Sequence, residues 1–316
     1  EFPWLSNKNI ITSPVRCLNQ IFLWLYVRIS VRLTAMDIQW ILVDTPKKLQ
    51  HAVDDFEKAK ILSIDTEYDS FRYFTEKLCL IQIYAHHTVY LFDPLNDLDL
   101  SFLGEYFDDR RILKILHAAD NDIRILKRNY KFNFQNIFDT HRAAMLLGFK
   151  ELSLEKMIRE FVGVELKKNK KIQRSHWDIR PLTEEQLEYA AQDVIYLPAL
   201  FEQQSSALNE KNLKSSAEKA FIKIAENDWH EKRFNRQGYK RIKGYECLHP
   251  EQKELFKKLY IWRYHRAKAE NRAVFMFLTD SNLLGLVQDT LHPEKYLSQR
   301  KMKVYGEEVE RIIQSM

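Results

Sequence analysis

Apolar and polar residues follow one another in two alternating patterns along most of the chain. Short apolar runs bounded by polar turns predict strands, and apolar positions three or four apart predict amphipathic helices. From Asp37 onward the two patterns interleave, which predicts an α/β fold with a mixed sheet flanked by helices. The predicted strands are 40–43, 61–65, 78–84, 89–92 and 112–117, and helices are predicted at 46–60 and from Asp122. The turn between 78–84 and 89–92 is so short that these two strands must pair antiparallel.

Two carboxylates stand at the end of the predicted strand 61–65. Asp65 and Glu67 are spaced i, i+2, so both side chains project from the same face of a strand. Two buried like charges repel each other unless a cation lies between them, and a divalent metal ion is the usual solution. The alternative is a pair of solvated turn carboxylates, which are common at strand ends.

A further helix is predicted to begin at Thr183. The sequence Thr183-Glu-Glu-Gln186 follows Pro181 and has the form of a capping box, with a threonine N-cap and a glutamine at N3. Tyr189 and Asp193 lie four residues apart on this helix, so they share one face. Both side chains can therefore point into the same cleft.

The length of the chain, 316 residues, favours two domains. We predict a leader or non-native extension at 1–36, an α/β domain at 37–203, a basic helical linker at 204–245 and a compact helical domain at 246–316. The leader is either an organelle presequence or secretory signal, or an artefact that precedes Met36. Its apolar run, 21–27, is shorter than the roughly 20 residues that span a bilayer, so no membrane association is expected.

Charge and cysteine content limit the class of protein further. The 49 basic and 44 acidic residues give a mild net charge of +5, so the position of the basic residues matters more than their sum. Three scattered cysteines form neither a disulfide framework nor a zinc spacing, as expected in a reducing compartment. We expect a cytoplasmic protein, with organelle targeting by residues 1–35 left open. The basic run 166–174 is either a solvated loop or a phosphate-binding segment.

Three short motifs resemble those of a known nuclease superfamily. They are Asp-Thr-Glu at 65–67, His-Ala-Ala-Asp-Asn-Asp at 117–122 and Tyr-Ala-Ala-Gln-Asp at 189–193, and they resemble the motifs of the tyrosine-bearing DEDD exonucleases. With Leu-Ile-Gln-Ile at 80–83 and the run 177–183, the chain is most similar to the ribonuclease D family. The resemblance implies a ribonuclease H-like mixed-sheet 3′-5′ exonuclease core over 37–203. Residues 246–316 resemble a single HRDC domain, which is a small all-helical module.

The resemblance assigns roles to five side chains. Asp65 would bridge two divalent metal ions, Glu67 and Asp193 would complete one site, and Asp122 would hold the other ion largely through water. Mg²⁺ suits such oxygen ligands, and Mn²⁺ should substitute for it. Tyr189 would orient the attacking water, because an ordinary phenol pKa of about 10 makes it a poor base at neutral pH.

Each of these assignments has a structural alternative. Asp122 could be only a helix N-cap, Tyr189 an ordinary half-buried tyrosine and Asp193 a surface acid. His117 is expected to form structural hydrogen bonds rather than bind metal, because imidazole is not the usual ligand of Mg²⁺. Asp139, a further acid in the same region, is also expected to be structural.

The resemblance implies a metal-dependent 3′-5′ exoribonuclease that acts as a monomer on single-stranded 3′ ends of RNA, such as those of tRNA precursors. One alternative is an exonuclease acting on DNA. Another is a catalytically silent nucleic-acid-binding module, which predicts a gap among the five catalytic positions, and no gap is present. In the HRDC-like region, basic side chains are expected either to contact phosphates or only to keep the domain soluble. These are Lys257, Lys258, Arg263, Arg266 and Lys268.

Overall fold

The computed structural model describes residues 39–166, 169–231 and 233–315. The predicted leader lies outside the described residues, as do Lys167 and Lys168 of the basic run. The chain forms two compact units. The first, the sheet unit, runs to Glu67 and continues over Leu78–Trp229, and the second, the helical unit, consists of Tyr68–Lys77 and the chain from His230 onward.

A six-stranded mixed sheet forms the centre of the sheet unit. Its strands are β1 (Gln39–Val43), β2 (Ile61–Asp69), β3 (Lys77–Ala85), β4 (Thr88–Phe92), β5 (Leu113–Leu116) and β6 (Ile137–Asp139), in the order β1-β4-β3-β2-β5-β6. Strands β3 and β4 pair antiparallel, as predicted. The pairs β1–β4, β2–β5 and β5–β6 are parallel. The prediction of an α/β fold with a mixed sheet is therefore confirmed.

The helices of the sheet unit follow the strands in chain order. They are α1 (Pro46–Phe56), α2 (Leu103–Asp108), α3 (Asp120–Tyr130), α4 (Thr140–Leu147), α5 (Leu154–Val162), α6 (Lys170–Gln173), α7 (Glu184–Ile195), α8 (Leu197–Glu210) and α9 (Lys214–Ala225). Helix α1 ends at Phe56 rather than at the predicted Lys60, because the chain must turn before it enters β2 at Ile61. Helix α3 begins at Asp120, one half-turn before the predicted Asp122.

The segment predicted as a helical linker, 204–245, does not form an independent element. Its first part lies in α8 and α9, which pack within the sheet unit, where the Phe138 ring contacts those of Phe201 and Phe221 at centroid distances of 5.0 and 4.8 Å. Helix α9 carries many charged residues, but it also has a narrow apolar face that includes the buried Phe221 and Ile224. The division between the units follows Trp229 instead.

The helical unit has a core of its own. Its helices are α10 (Pro250–Ala269), α11 (Val274–Phe277), α12 (Asp280–Gln288) and α13 (Gln299–Gln314). Leu255, Leu259 and Trp262 of α10 are buried in this core together with Phe277. Phe74, from the segment between β2 and β3, packs against the same core. No helix in the described part of the chain has the length and apolar composition needed to cross a bilayer.

A fully buried lysine lies on β5, beside the central strand. Lys114 is 0% exposed, and its ammonium donates hydrogen bonds to the carbonyls of Asp109 and Ile112 at 2.7 and 2.9 Å. Burial lowers the pKa of Lys114 to about 8, although Asp109 and Asp108 act in the opposite direction. The folded protein therefore releases this proton at a lower pH than the unfolded chain does.

We expect Lys114→Met to change how stability depends on pH. Between pH 8 and pH 10 the folded wild type loses the Lys114 proton while the unfolded chain still holds it, so the free energy of unfolding rises with pH. The contribution is about 2 kcal/mol, from roughly 1.4 kcal/mol per pKa unit. Denaturant unfolding at both pH values measures it, and the Lys114→Met protein should lack this gain. The exposed Lys58 supplies the control Lys58→Met, which should follow the wild type. Equal pH dependence in all three proteins would contradict the prediction.

Candidate active site

Asp65 and Glu67 lie within β2, between strands β3 and β5. The sequence predicted that the two acids stand at the end of this strand. The strand instead continues to Asp69, so both acids lie inside it. Both side chains are half-buried, and Asp65 Oδ1 accepts a hydrogen bond from the Thr66 amide at 2.9 Å. The alternative of solvated turn carboxylates is therefore wrong.

Asp122 enters the same region from the first turn of α3. The N-cap of this helix is Ala119, and Asp122 is the third helical residue, so the N-cap alternative for Asp122 is wrong. Its side chain is only 7% exposed, and its Oδ1 accepts a hydrogen bond from the Thr66 hydroxyl. Thr66 thus links the first and second motifs. The position of Thr66 between Asp65 and Glu67 indicated that it belongs to the site. The sequence pattern did not show that its hydroxyl binds Asp122.

Helix α7 contributes the third motif. The predicted capping box is present, since the Thr183 hydroxyl accepts from the Gln186 amide at 3.2 Å and Gln186 Oε1 accepts from the Thr183 amide at 3.0 Å. The Tyr189 hydroxyl is hydrogen-bonded to Asp193, one turn further along the helix. The buried Trp177 ring lies beside Tyr189, with 6.2 Å between ring centroids. Tyr189 is therefore held by a packed ring on one side and by a carboxylate at its hydroxyl.

The electrostatics show that acids from three distant segments are neighbours. Burial raises the pKa of Asp65, and the charge of Asp193 adds to this effect. Burial also raises the pKa of Glu67, with further contributions from Asp65, Asp193 and Asp122. Burial, and then Asp65, raise the pKa of Asp122. The structure thus brings all four predicted metal ligands together.

The same surroundings act on Tyr189. Burial raises the pKa of its phenol far above the ordinary value, and the charges of Asp193, Glu67 and Asp65 raise it further. Tyr189 therefore keeps its proton at neutral pH. It can donate a hydrogen bond to a carboxylate and accept one from water, but it does not act as a base.

The donor set fits a hard divalent cation, because it consists of oxygen atoms whose negative charges lie close together. The described residues do not, however, contain three or more His, Cys, Asp or Glu side chains already placed at ligating separations. The assignment of Asp65, Glu67, Asp122 and Asp193 as metal ligands remains a prediction.

Arg180 fixes the approach to α7. Its guanidinium pairs with the Asp93 carboxylate, with 2.7 Å between Nη2 and Oδ1, and Nη2 also donates to the Cys79 carbonyl at 2.7 Å. Its Nη1 donates to the carbonyls of Trp177 and Ile179 at 2.7 and 2.9 Å. Cys79 lies in β3 and Asp93 directly follows β4. Arg180 therefore ties the segment before α7 to β3 and to the end of β4. The sequence placed Arg180 in the run 177–183 but did not show this role.

The two other candidate residues of this region have structural roles, as predicted. His117 Nδ1 is 2.8 Å from the Thr140 hydroxyl. Asp139 is the N-cap of α4, where its carboxylate accepts from the amides of Arg142 and Ala119, both at 2.7 Å. These contacts fix the loop between β5 and α3, which precedes Asp122.

The basic residues predicted to contact phosphates in the helical unit have partners within the unit. Arg263 is 3% exposed and binds the Leu278 carbonyl and Asp280, so the phosphate prediction is wrong for this residue. Lys257 and Arg266 pair with Glu254 and Glu308 at 2.5 and 2.6 Å. The two remaining residues also have partners, with Lys268 paired to Glu231 and the Lys258 ammonium donating to the Ser315 carbonyl at 2.8 Å.

We expect Glu67→Gln to stabilise the protein in the absence of metal. Burial and three neighbouring acids oppose the charge of Glu67, so a neutral amide of the same shape removes a destabilisation of about 0.5–2 kcal/mol. Thermal unfolding in EDTA should show a higher Tm for the variant than for the wild type. Added Mg²⁺ should raise the wild-type Tm more than the variant Tm, because ligand binding stabilises the folded state. The exposed Glu218 provides the matched control Glu218→Gln. A lower Tm of Glu67→Gln in EDTA would contradict the electrostatic assignment.

Comparison with known proteins agrees with this site. The 3′-5′ exonuclease family matches residues 40–209. Ribonuclease D from Desulfotalea psychrophila is 32% identical over 247 residues, which cover 78% of this chain and 66% of that protein. Mouse exosome complex component 10 is 30% identical over 261 residues, which cover 78% of this chain but only 29% of that protein.

A solved structure supports the same fold. The catalytic core of RRP6 from Trypanosoma brucei has a TM-score of 0.80 and 21% sequence identity, over 89% of this chain and 80% of that one. The chain spans less than two thirds of the curated relatives it matches. Because the family match covers more than half of the chain and includes the segments that carry all three motifs, the chain belongs to the 3′-5′ exonuclease family, within which it is ribonuclease D-like.

Proposed function

We propose that this chain is a metal-dependent 3′-5′ exoribonuclease. The observation that carries the proposal is the convergence of four acids from β2, α3 and α7, with the Tyr189 hydroxyl bound to one of them. Buried carboxylates that repel one another are costly for a fold to retain, and such groups concentrate at functional sites. The match to the 3′-5′ exonuclease family supports hydrolysis at a 3′ end.

The acids would hold two divalent ions, with Mg²⁺ the preferred ion and Mn²⁺ a substitute. Asp65 would be shared between the two ions, Glu67 and Asp193 would complete one site, and Asp122 would belong to the other. Divalent cations held there supply the charge stabilisation that attack on a phosphodiester requires. Thr66 would fix the orientation of Asp122 through its hydroxyl.

Tyr189 would orient the attacking water. Its phenol keeps its proton and donates to Asp193, so its oxygen is left to accept a hydrogen bond from water. Trp177 limits the movement of the ring. Arg180 holds the segment before α7, and it thereby fixes the position of this helix relative to β3.

RNA is the substrate class that the relatives favour, since they are named ribonuclease D and exosome components. Within that class we propose single-stranded 3′ ends, with tRNA precursors as natural substrates. The helical unit would correspond to an HRDC domain, and the enzyme would act as a monomer in the cytoplasm. Exonuclease action on DNA is the alternative, because the description of the matched family gives the 3′-5′ direction of cleavage and does not specify RNA or DNA.

The first test is degradation of 5′-labelled single-stranded RNA and of matched DNA. With Mg²⁺ we expect a ladder that shortens from the 3′ end of RNA, and no cleavage in EDTA. Asp65→Asn should reduce the rate by at least about 10³-fold, because it removes a charge that the metal sites share. Glu218→Gln should retain wild-type activity.

The other outcomes of this test discriminate between the alternatives. Equal or faster loss of DNA would favour the DNA exonuclease. Binding of both nucleic acids without cleavage under any metal condition would favour a silent binding module. Full activity of Asp65→Asn would contradict the proposed chemistry itself.

A second test addresses the role of Tyr189. Tyr189→Phe keeps the ring beside Trp177 but removes the hydroxyl that binds Asp193. We expect kcat to fall by about 10²-fold with little change in KM, since orientation of the water matters for the chemical step rather than for substrate binding. Steady-state kinetics on a short RNA would measure both constants. An unchanged kcat would show that the hydroxyl has no part in catalysis.

A further inference from the structure

Two exposed phenyl rings lie against each other on the helical unit. Phe71 is 63% exposed and Phe275 is 47% exposed, and their ring centroids are 5.0 Å apart with 58° between the ring planes. Single exposed apolar side chains are ordinary on protein surfaces. A pair of aromatic rings brought together from distant parts of the chain, and still open to solvent, is a feature of recognition surfaces.

The backbone that carries Phe71 is held firmly. The buried Asp69 carboxylate accepts hydrogen bonds from the amides of Phe71 and Arg72 at 2.9 and 2.8 Å. The Arg72 guanidinium pairs with Asp69 at 2.6 Å, and the Arg72 carbonyl accepts from the Ala273 amide at 2.9 Å. Because the loop is already ordered, a ligand that contacts the Phe71 ring need not bear the cost of ordering it.

An exposed arginine belongs to the same backbone segment as Phe275. Arg272 is exposed and precedes Ala273, which is tied to the Phe71 segment. In the described part of the chain Arg272 forms no ion pair, in contrast to Lys257, Arg266 and Lys268. A second cation, Lys301, lies close to Arg272. Burial lowers the pKa of Lys301, and the charge of Arg272 lowers it further. An exposed arginine three residues before an exposed aromatic ring matches the alternation of phosphate and base along a single strand.

The position of Phe71 in the chain limits its distance from the acids. Phe71 follows Glu67 by four residues, and each residue spans at most about 3.6 Å, so their Cα atoms are no more than about 14 Å apart.

We propose that Phe71 and Phe275 form a stacking platform for an unpaired base of a single-stranded RNA, with Arg272 contacting a phosphate of the same strand. The proposal rests on the proposed exoribonuclease function and specifies how the enzyme would engage its substrate upstream of the cleaved bond. Stacking on an aromatic face tolerates every base. A duplex cannot present a base in this way, so the platform selects for single strands.

The test measures RNA binding without cleavage. Fluorescence anisotropy in EDTA gives the Kd of 5′-labelled single-stranded RNAs in which one nucleotide at a time is replaced by an abasic residue. For the wild type we expect an abasic residue at one upstream position to weaken binding about tenfold. The Phe71→Ala/Phe275→Ala protein should bind intact RNA about tenfold more weakly and should show no further loss at that position. Leu291→Ala, at a residue that is 84% exposed in the same unit, should behave as the wild type, and circular dichroism confirms folding.

A salt titration tests the cation. Arg272→Gln should reduce the slope of log affinity against log salt concentration by about 0.7, the value for one phosphate contact on a single strand. An unchanged Kd of the double alanine variant, or an abasic effect that persists in it, would overturn the platform and would leave the surface open to a protein partner. Because no cleavage is measured, either result leaves the exoribonuclease proposal to its own test.

Discussion

Repulsion between like charges is the constraint on which the sheet unit depends. The fold holds Asp65, Glu67, Asp122 and Asp193 close together, although burial and mutual repulsion oppose the charge of each. Hydrogen bonds compensate in part, since the Thr66 amide donates to Asp65 and the Thr66 hydroxyl donates to Asp122. The stability of the unit must therefore come in large part from its apolar sheet core, while Arg180 ties the segment before α7 to the sheet. Such a site trades stability for function, as active sites commonly do.

Local patterns in the sequence predicted much of this site. The i, i+2 spacing of Asp65 and Glu67 followed from the period of a strand, and the Thr183 capping box placed Tyr189 and Asp193 on one helix face. The partners of Thr66 and Arg180 could not be predicted in this way. Thr66 binds Asp122, which lies 56 residues away, and Arg180 binds Asp93, which lies 87 residues away. Contacts of that separation depend on the packed fold and leave no local pattern.

The charged segments show a second limit of sequence patterns. The sequence predicted that residues 246–316 are helical, but it did not distinguish paired from unpaired cations. Arg263 appears in the sequence as one basic residue among several, yet its side chain is buried against Asp280. Similarly, the density of charge in 204–245 concealed the apolar face of α9. Charge counts describe a solvated surface well only where no carboxylate lies within reach.

The division of the chain into units has a consequence for how the protein could evolve or be dissected. The helical unit includes Tyr68–Lys77, which lies between two strands of the sheet unit, so the polypeptide passes from one unit to the other three times. A cut after Trp229 would therefore not release an intact module. It would leave Phe74 without the core it packs against and the Arg72 carbonyl without the Ala273 amide. Because the chain enters the helical unit twice, recombination at a single junction cannot exchange that unit whole.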